Sequence, residues 1–543
     1  MFRNKRRLSV LSIVLGILLI LPFSGAAADI NVVELTALQA RKDLDAKKYT
    51  VRQLTEAFLA RIEKYNPGYN AIISMNPNAL KEAEDIDRRL AAGEKPGPLT
   101  GIPVVIKDTI DIAGLPTTCG WKPLSAKAGG KDILPELDST VVKLLRKNGV
   151  VILGKTNVPI FSMSGTDANN SWAGPTYNAA SPAHAPGASS SGTATAVSGS
   201  FAVLGLAEET GGSIQNPAAA QGLVGVKPTF ALVPNTGVVP LAGSTRDVIG
   251  PHAKSVYDAA LVMDALAGFD SEDLKTVAAI GKRPKGGYAG ALNETALKGK
   301  RIGLYGPGWK EEVLTPDVAA KYAQVIEHLK KRGATVVEDP FNGSGFTALR
   351  KPGVRPNSDS RGQEYCPYEF QVYLERLGKA IPGHTLAEFT KFVGADAFAA
   401  GGPFEARRAM LPAFLETLAN PSTPPDMTPF LVGREAYLEI FDRVMDEKKL
   451  DALVFPQMYM ETPPLFGTEL IGATTSAEIN ISGLPGVVVP AGYFDSGAPF
   501  SIIIVGRQWD EANLLSLAYD FEQSTKARKT PELIENPASL AKK

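Results

Sequence analysis

Two serine-bearing segments and one lysine carry the chemistry this chain could perform. The segment EETGGSIQNPAAAQGLVGVKPT, residues 208–229, places Ser213 directly behind Gly211 and Gly212. Glycine is the low-cost residue where φ is positive or where two backbones touch, so the pair alone fits an ordinary turn. The segment PGASSSGTATAVSGS, residues 186–200, has the composition of a flexible linker. It runs straight into the apolar FAVLGLA and then into the Ser213 segment, so it sits among strong folding signals rather than between domains. Lys107 closes the apolar run PVVIK, where a solvated strand end is the plain reading and a buried base the functional one.

Other hydrolytic arrangements are absent from the sequence. It contains no G-x-S-x-G elbow and no H-E-x-x-H, and its four histidines, His184, His252, His328 and His384, lack ligand spacing. An S-x-x-K occurs only at Ser539–Lys542, in the terminal tail. A phosphate-binding P-loop and a dinucleotide glycine fingerprint are missing too. What remains is serine, lysine and glycine.

These blocks resemble the amidase signature family. TGGSIQNPAAAQGLVGVKPT is similar to its nucleophile block, PGASSSGTATA to its upstream serine block, and GIPVVIKDTIDIAG to its lysine block. Ser189 and Ser213 lie 24 residues apart, the family's spacing between two catalytic serines. The flanks STRDVIGPHAKSVYDAALVMDALAG, INISGLPGVVVPAGY and IIIVGRQWDEANLLSLAYDFEQ follow in the family's order, and the likeness covers roughly 31–270 and 450–530. The resemblance implies that Ser213 is the nucleophile, Ser189 a bridging serine after a cis peptide bond, and Lys107 the base. It also implies an oxyanion hole from the backbone of Thr210, Gly211, Gly212 and Ser213, with no metal and no cofactor. Backbone N–H groups aimed at the carbonyl oxygen stabilise its negative charge during attack, and glycine lets them come close. The chain departs from the family in three places. Ala188 stands where a second glycine is common, Glu208-Glu209 replaces Thr-Asp, and Gln215-Asn216 replaces Arg and an apolar residue.

The activity implied is hydrolysis of a carboxylic amide C–N bond through an acyl-enzyme, on a small-molecule amide. Two alternatives stay open: an amidotransferase-type amidase subunit releasing ammonia from glutamine, and an exported binding protein without turnover. A homodimer also stays open.

The elements that must position these residues alternate between helix and strand. Val51, Leu54, Phe58 and Ile62 share a helical face that NPGYN, residues 66–70, is expected to end. IPVVIKD and VVILGKT read as strands, with DSTVVKLLRKNG as the N-capped helix between them. DALVFP, LPGVVVPAG and FSIIIVG read as strands again, followed by a final long helix. This alternation predicts an α/β fold with a mixed or parallel sheet. The resemblance sharpens it to the amidase signature fold, a central mixed sheet covered on both sides by helices in one large domain over 29–543. The Pro- and Gly-rich stretch of about 270–450 reads as a variable covering region rather than a separate domain.

Composition narrows the setting. With 57 basic and 57 acidic residues the chain advertises no basic face for nucleic acid, and 44% hydrophobic residues can furnish a large core. Residues 1–28 have a basic start, an apolar run from Leu8 to Leu21 and a small-residue end, which is the pattern of a secretory signal cleaved after Ala28. That run of 14 residues is shorter than the ~20 needed to span a bilayer, so an uncleaved anchor is the weaker reading. The expectation is an exported enzyme, periplasmic or secreted, without stable membrane insertion. Cys119 and Cys366 exclude a disulfide scaffold, and whether they pair is left open.

Overall fold

A computed structural model describes residues 30–351 and 359–541, so the amino-terminal signal reading lies outside the described residues. Among the described residues, eleven strands form one mixed sheet. They are β1 (Ile72–Met75), β2 (Pro103–Lys107), β3 (Val151–Thr156), β4 (Leu204–Glu209), β5 (Val224–Lys227), β6 (Val248–Ala253), β7 (Arg301–Leu304), β8 (Thr335–Val337), β9 (Ala452–Pro456), β10 (Gly486–Tyr493) and β11 (Pro499–Val505). Their order across the sheet is β1-β3-β2-β4-β6-β5-β10-β11-β9-β7-β8. β2 lies parallel to both β3 and β4, the strands from β4 to β9 run antiparallel in turn, and β9, β7 and β8 are parallel.

The strands that carry the site residues are buried along their whole length, as sheet strands covered on both faces must be. That is why PVVIK, VILGKT and LGLAEE read as continuous runs instead of alternating apolar and polar. Helices flank the sheet, and one hydrophobic core runs from Val32 to Phe521 through its middle. In the helix Val51–Tyr69, Thr50 and Gln53 form a capping box and Val51, Leu54, Phe58 and Ile62 are buried. The helix differs from the sequence expectation at its end. It carries Pro67 inside its last turn and stops only at Asn70, which takes the left-handed conformation.

The stretch read as a covering layer also differs in part. β7 and β8 come from it and extend the sheet beyond β9, because short strands embedded in Gly- and Pro-rich sequence leave little periodicity to read. Its later helices Cys366–Arg376, Leu386–Val393 and Pro412–Ala419, together with Phe404 and Leu411, build a second core with Trp121, Phe161 and Leu241. Cys119 and Cys366 both lie buried in that second core as free thiols.

Candidate active site

The sheet register brings the site together. β2 pairs in parallel with β4, Ile106 opposite Leu206, so Lys107 at the end of β2 lies beside Glu208 near the end of β4. Lys107 Nζ donates to Ser189 Oγ at 2.6 Å and to the Glu208 carbonyl oxygen at 2.9 Å, and it contacts Glu208 Oε2 at 2.5 Å. All three residues are buried. Ser189 stands just ahead of the helix Ser191–Ser198, and the peptide bond from Ala188 to Ser189 is cis. Every residue of that helix is buried, and its small side chains let it seat against the sheet. An added Cβ at Gly192 would come within 2.4 Å of the Asn157 backbone nitrogen and 2.5 Å of the Ala71 carbonyl oxygen, so only glycine fits there.

Thr210 to Ser213 form the turn between β4 and the short helix Gln215–Ala220. Gly212 has φ +110°, a conformation side chains resist. Among the described residues, no acceptor pairs with the backbone N–H groups of Gly211, Gly212 or Ser213. Glu209 organises the turn from below, accepting hydrogen bonds from the backbone of Ile214 at 2.7 Å and Gln215 at 3.1 Å and from Asn480 at 2.7 Å. Gln215 is drawn away from the turn's open side, since its amide donates to Glu209 and its Oε1 accepts from Thr475. The Ser213 hydroxyl makes no hydrogen bond with another described residue, and Ser213 borders a cavity of about 480 Å³.

That cavity is also lined by Thr210, Gly211, Met163, Arg246 and Arg407. The buried Arg246 guanidinium donates to the carbonyl oxygens of Thr210 at 3.0 Å and Asp359 at 2.7 Å, and burial pulls its pKa down. Arg407 is lowered to about 10, by burial first and by the like charge of Arg246 second. The carboxylate of Asp359, also on the cavity wall, is engaged by Arg361. The cavity therefore presents two guanidinium groups beside the Ser213 turn.

Lys107 and Ser189 are thus in direct contact, while Ser213 and the glycine turn open onto the cavity. Sequence reasoning assigned no role to the Lys107–Glu208 contact, to Arg246 or to Arg407. The one signal available was the pair of acids ending an otherwise apolar strand, LGLAEE, just ahead of the glycines. Among the described residues, no group of three or more His, Cys, Asp or Glu side chains could hold a metal ion.

Comparison with known proteins places the chain in a family. The amidase family model matches residues 53–343. The chain belongs to the amidase signature family. It is 34% identical to a glutamyl-tRNA(Gln) amidotransferase subunit from Carboxydothermus hydrogenoformans, over 91% of this chain and 98% of that protein. Among solved structures it is similar to the native peptide amidase of Stenotrophomonas maltophilia, with a TM-score of 0.73, 31% identity and coverage of 92% of this chain and 99% of that one. The corresponding glutamyl-tRNA(Gln) amidotransferase subunit from Thermotoga maritima superposes with a TM-score of 0.66 and 25% identity, over 93% of this chain and 99% of that one. This amidase signature protein is an enzyme of carbon–nitrogen bond hydrolysis, and the mixed sheet flanked by helices is the fold of these solved amidases.

Proposed function

We propose that the chain hydrolyses a carboxylic amide through an acyl-enzyme on Ser213, with Ser189 and Lys107 relaying the proton. The observation that carries this reading is the 2.6 Å contact between Lys107 Nζ and Ser189 Oγ, next to a turn whose glycine N–H groups have no described acceptor. A serine hydroxyl becomes an effective nucleophile when a base takes its proton. As Ser213 Oγ attacks the carbonyl carbon, its proton passes to Ser189 and the proton of Ser189 passes to Lys107. The backbone N–H groups of Thr210, Gly211, Gly212 and Ser213 receive the developing oxyanion. The C–N bond then breaks as the leaving nitrogen takes a proton from Lys107 by the same path. Water, deprotonated by the reverse relay, frees the carboxylate and restores Ser213.

A second reading, in which the chain releases ammonia as one component of an amidotransferase, has specific support. Relatives that bear the name of that component match at 30–34% identity over nearly their whole length. Arg246 and Arg407 on the cavity wall also suit an amide that carries a carboxylate, as glutamine does. The basic-then-apolar stretch of residues 1–28 supports the other assignment, an exported amidase that works alone.

Fluorophosphonate labelling with mass mapping tests the chemistry, and a panel of glutamine, primary amides, anilides and C-terminal peptide amides tests the substrate. Label is expected on Ser213 and absent from Ser213→Ala, with Lys107→Ala slowed about 10²-fold or more. No adduct on folded protein would favour a binding role, and an undiminished rate in Lys107→Ala would remove the relay. Turnover of glutamine alone, with ammonia passed to a co-purifying partner, would decide for the amidotransferase.

A further inference from the structure

Lys107 is surrounded by more acceptors than a base can use. Its Nζ faces Ser189 Oγ, the Glu208 carbonyl oxygen and Glu208 Oε2, which are three positions for the three protons of an ammonium. A neutral amine has two N–H bonds and one lone pair, and the lone pair must face Ser189. Both N–H bonds then point at Glu208. An ionised carboxylate in direct contact would hold the third proton on the lysine and leave it unable to act.

The far side of Glu208 offers a solution. Thr210 Oγ1 lies 3.2 Å from Glu208 Oε1 and 2.6 Å from Asp247 Oδ1. Asp247 Oδ2 accepts from the backbone N–H groups of Leu241 and Ala242, both at 2.9 Å, which suits an ionised carboxylate. A proton on Glu208 Oε1 can therefore donate to Thr210 Oγ1, whose own hydroxyl donates to Asp247. Both oxygens of Glu208, the Thr210 hydroxyl and both oxygens of Asp247 then have hydrogen-bond partners, and Oε2 stays free to accept from Lys107.

We propose that Glu208 rests as a neutral carboxylic acid and holds the proton that would otherwise make Lys107 an ammonium, so that the lysine keeps its lone pair on Ser189. Glu208 touches neither the nucleophile nor the cavity and acts through Lys107 as a positioning residue. The inference rests on the reading of Lys107 as the base. The proton count closes: the proton of Ser213 passes by way of Ser189 to Nζ, the ammonium so formed donates to the same three acceptors, and Glu208 remains an acid throughout. The electrostatics point the same way. Burial raises the Glu208 carboxyl above its usual range, Lys107 opposes that, and the charge of Asp247 reinforces it. The other titratable groups facing this cluster are His252 on β6 and Cys119 on the loop after β2, which burial keeps uncharged, and, around Asp247, Arg246, Lys275, Cys366 and Glu369. Burial and then the charge of Glu369 raise the Asp247 carboxyl, while its hydrogen bonds from Thr210, Leu241 and Ala242 oppose that.

Two measurements test it. The first is the pH dependence of Ser213 labelling by a fluorophosphonate in wild type, Asp247→Asn and the double variant Asp247→Asn/Glu208→Gln. Removing the charge at 247 lets Glu208 ionise and return a proton to Lys107, so the acid limb of labelling is expected to move up by a pH unit or more, with a tenfold or greater slowing at neutral pH. Adding Glu208→Gln, an uncharged isostere of the acid, is expected to restore most of that loss. If Lys107 and Glu208 instead rest as an ion pair, Asp247→Asn leaves the limb in place or lowers it, and that result overturns the proposal, as does a double variant no better than the single one. The second needs neither turnover nor the Asp247 variant: wild type should show the infrared carbonyl band of a protonated carboxyl group that Glu208→Gln lacks. Absence of that difference overturns the proposal, and it does so independently of whether Ser213 proves to be the nucleophile.

Discussion

At His252 a single buried ring ties the reactive turn to solution pH. Its Nε2 lies 2.9 Å from the carbonyl oxygen of Ile214, the residue after Ser213, and its side chain is fully buried. Burial lowers its pKa from 6.5 to about 4, with the Ile214 contact opposing the effect. The unfolded chain therefore binds a proton here before the folded protein does. The stability this residue contributes is complete above pH 6.5 and is lost as pH falls toward 4. The loss by that point is roughly 3 kcal/mol for a shift of this size. His252→Gln, which keeps a donor for Ile214, is expected to flatten the dependence of urea-unfolding stability between those pH values while leaving stability at pH 8 within about 1 kcal/mol of wild type. An unchanged pH dependence in the variant would assign the acid sensitivity elsewhere.

On the scale of elements, the site is a junction of two strand ends and two short helices, each held by its own device. β2 and β4 set Lys107 against Glu208 by parallel register, Glu209 holds the start of the helix Gln215–Ala220, and close packing seats the helix Ser191–Ser198. That helix has an apolar-to-small composition with no charged residue, so its place is decided by fit rather than by ion pairs. Gly192→Ala is the sharpest test, because the new methyl would meet backbone atoms that cannot swing aside. Overpacking of this kind costs about 1–3 kcal/mol. The loss should appear in thermal unfolding together with a fall in Ser213 labelling of tenfold or more, since Ser189 lies only three residues before the strained position. Labelling that survives while stability drops would show that Ser189 is placed independently of the helix.

The whole molecule combines a sheet core that carries the reactive residues with a second core that covers the cavity. Phe404 belongs to the second core, fully buried, with ring centroids 4.6 Å from Phe398 and 5.1 Å from Phe161. It immediately precedes the helix Glu405–Met410, which supplies Arg407 to the cavity wall. Phe404→Ala should cost about 3–5 kcal/mol of stability and loosen that wall without touching Lys107, Ser189 or Ser213. Steady-state kinetics on whichever amide proves to be turned over should therefore show KM rising more than kcat falls. A fall confined to kcat would place the second core in the chemical step instead of in substrate binding.

What the amino-acid sequence determined by itself is everything that depends on neighbours in the chain. Apolar runs marked β2, β3, β9, β10 and β11, an apolar face at helical spacing marked the helix Val51–Tyr69, and the spacing of Lys107, Ser189 and Ser213 marked the family to which the comparisons assign the chain. The same local logic failed at β7 and β8, too short to show a period, and at Pro67, which the helix tolerates in its last turn. Only the tertiary structure decided that Glu208, 101 residues along the chain from Lys107, would meet its amine, and that Arg246 and Arg407 would share one cavity. The reason is physical: which strand lies beside which, and at what register, is settled by burying both faces of an eleven-stranded sheet at once, and no short stretch of residues contains that information.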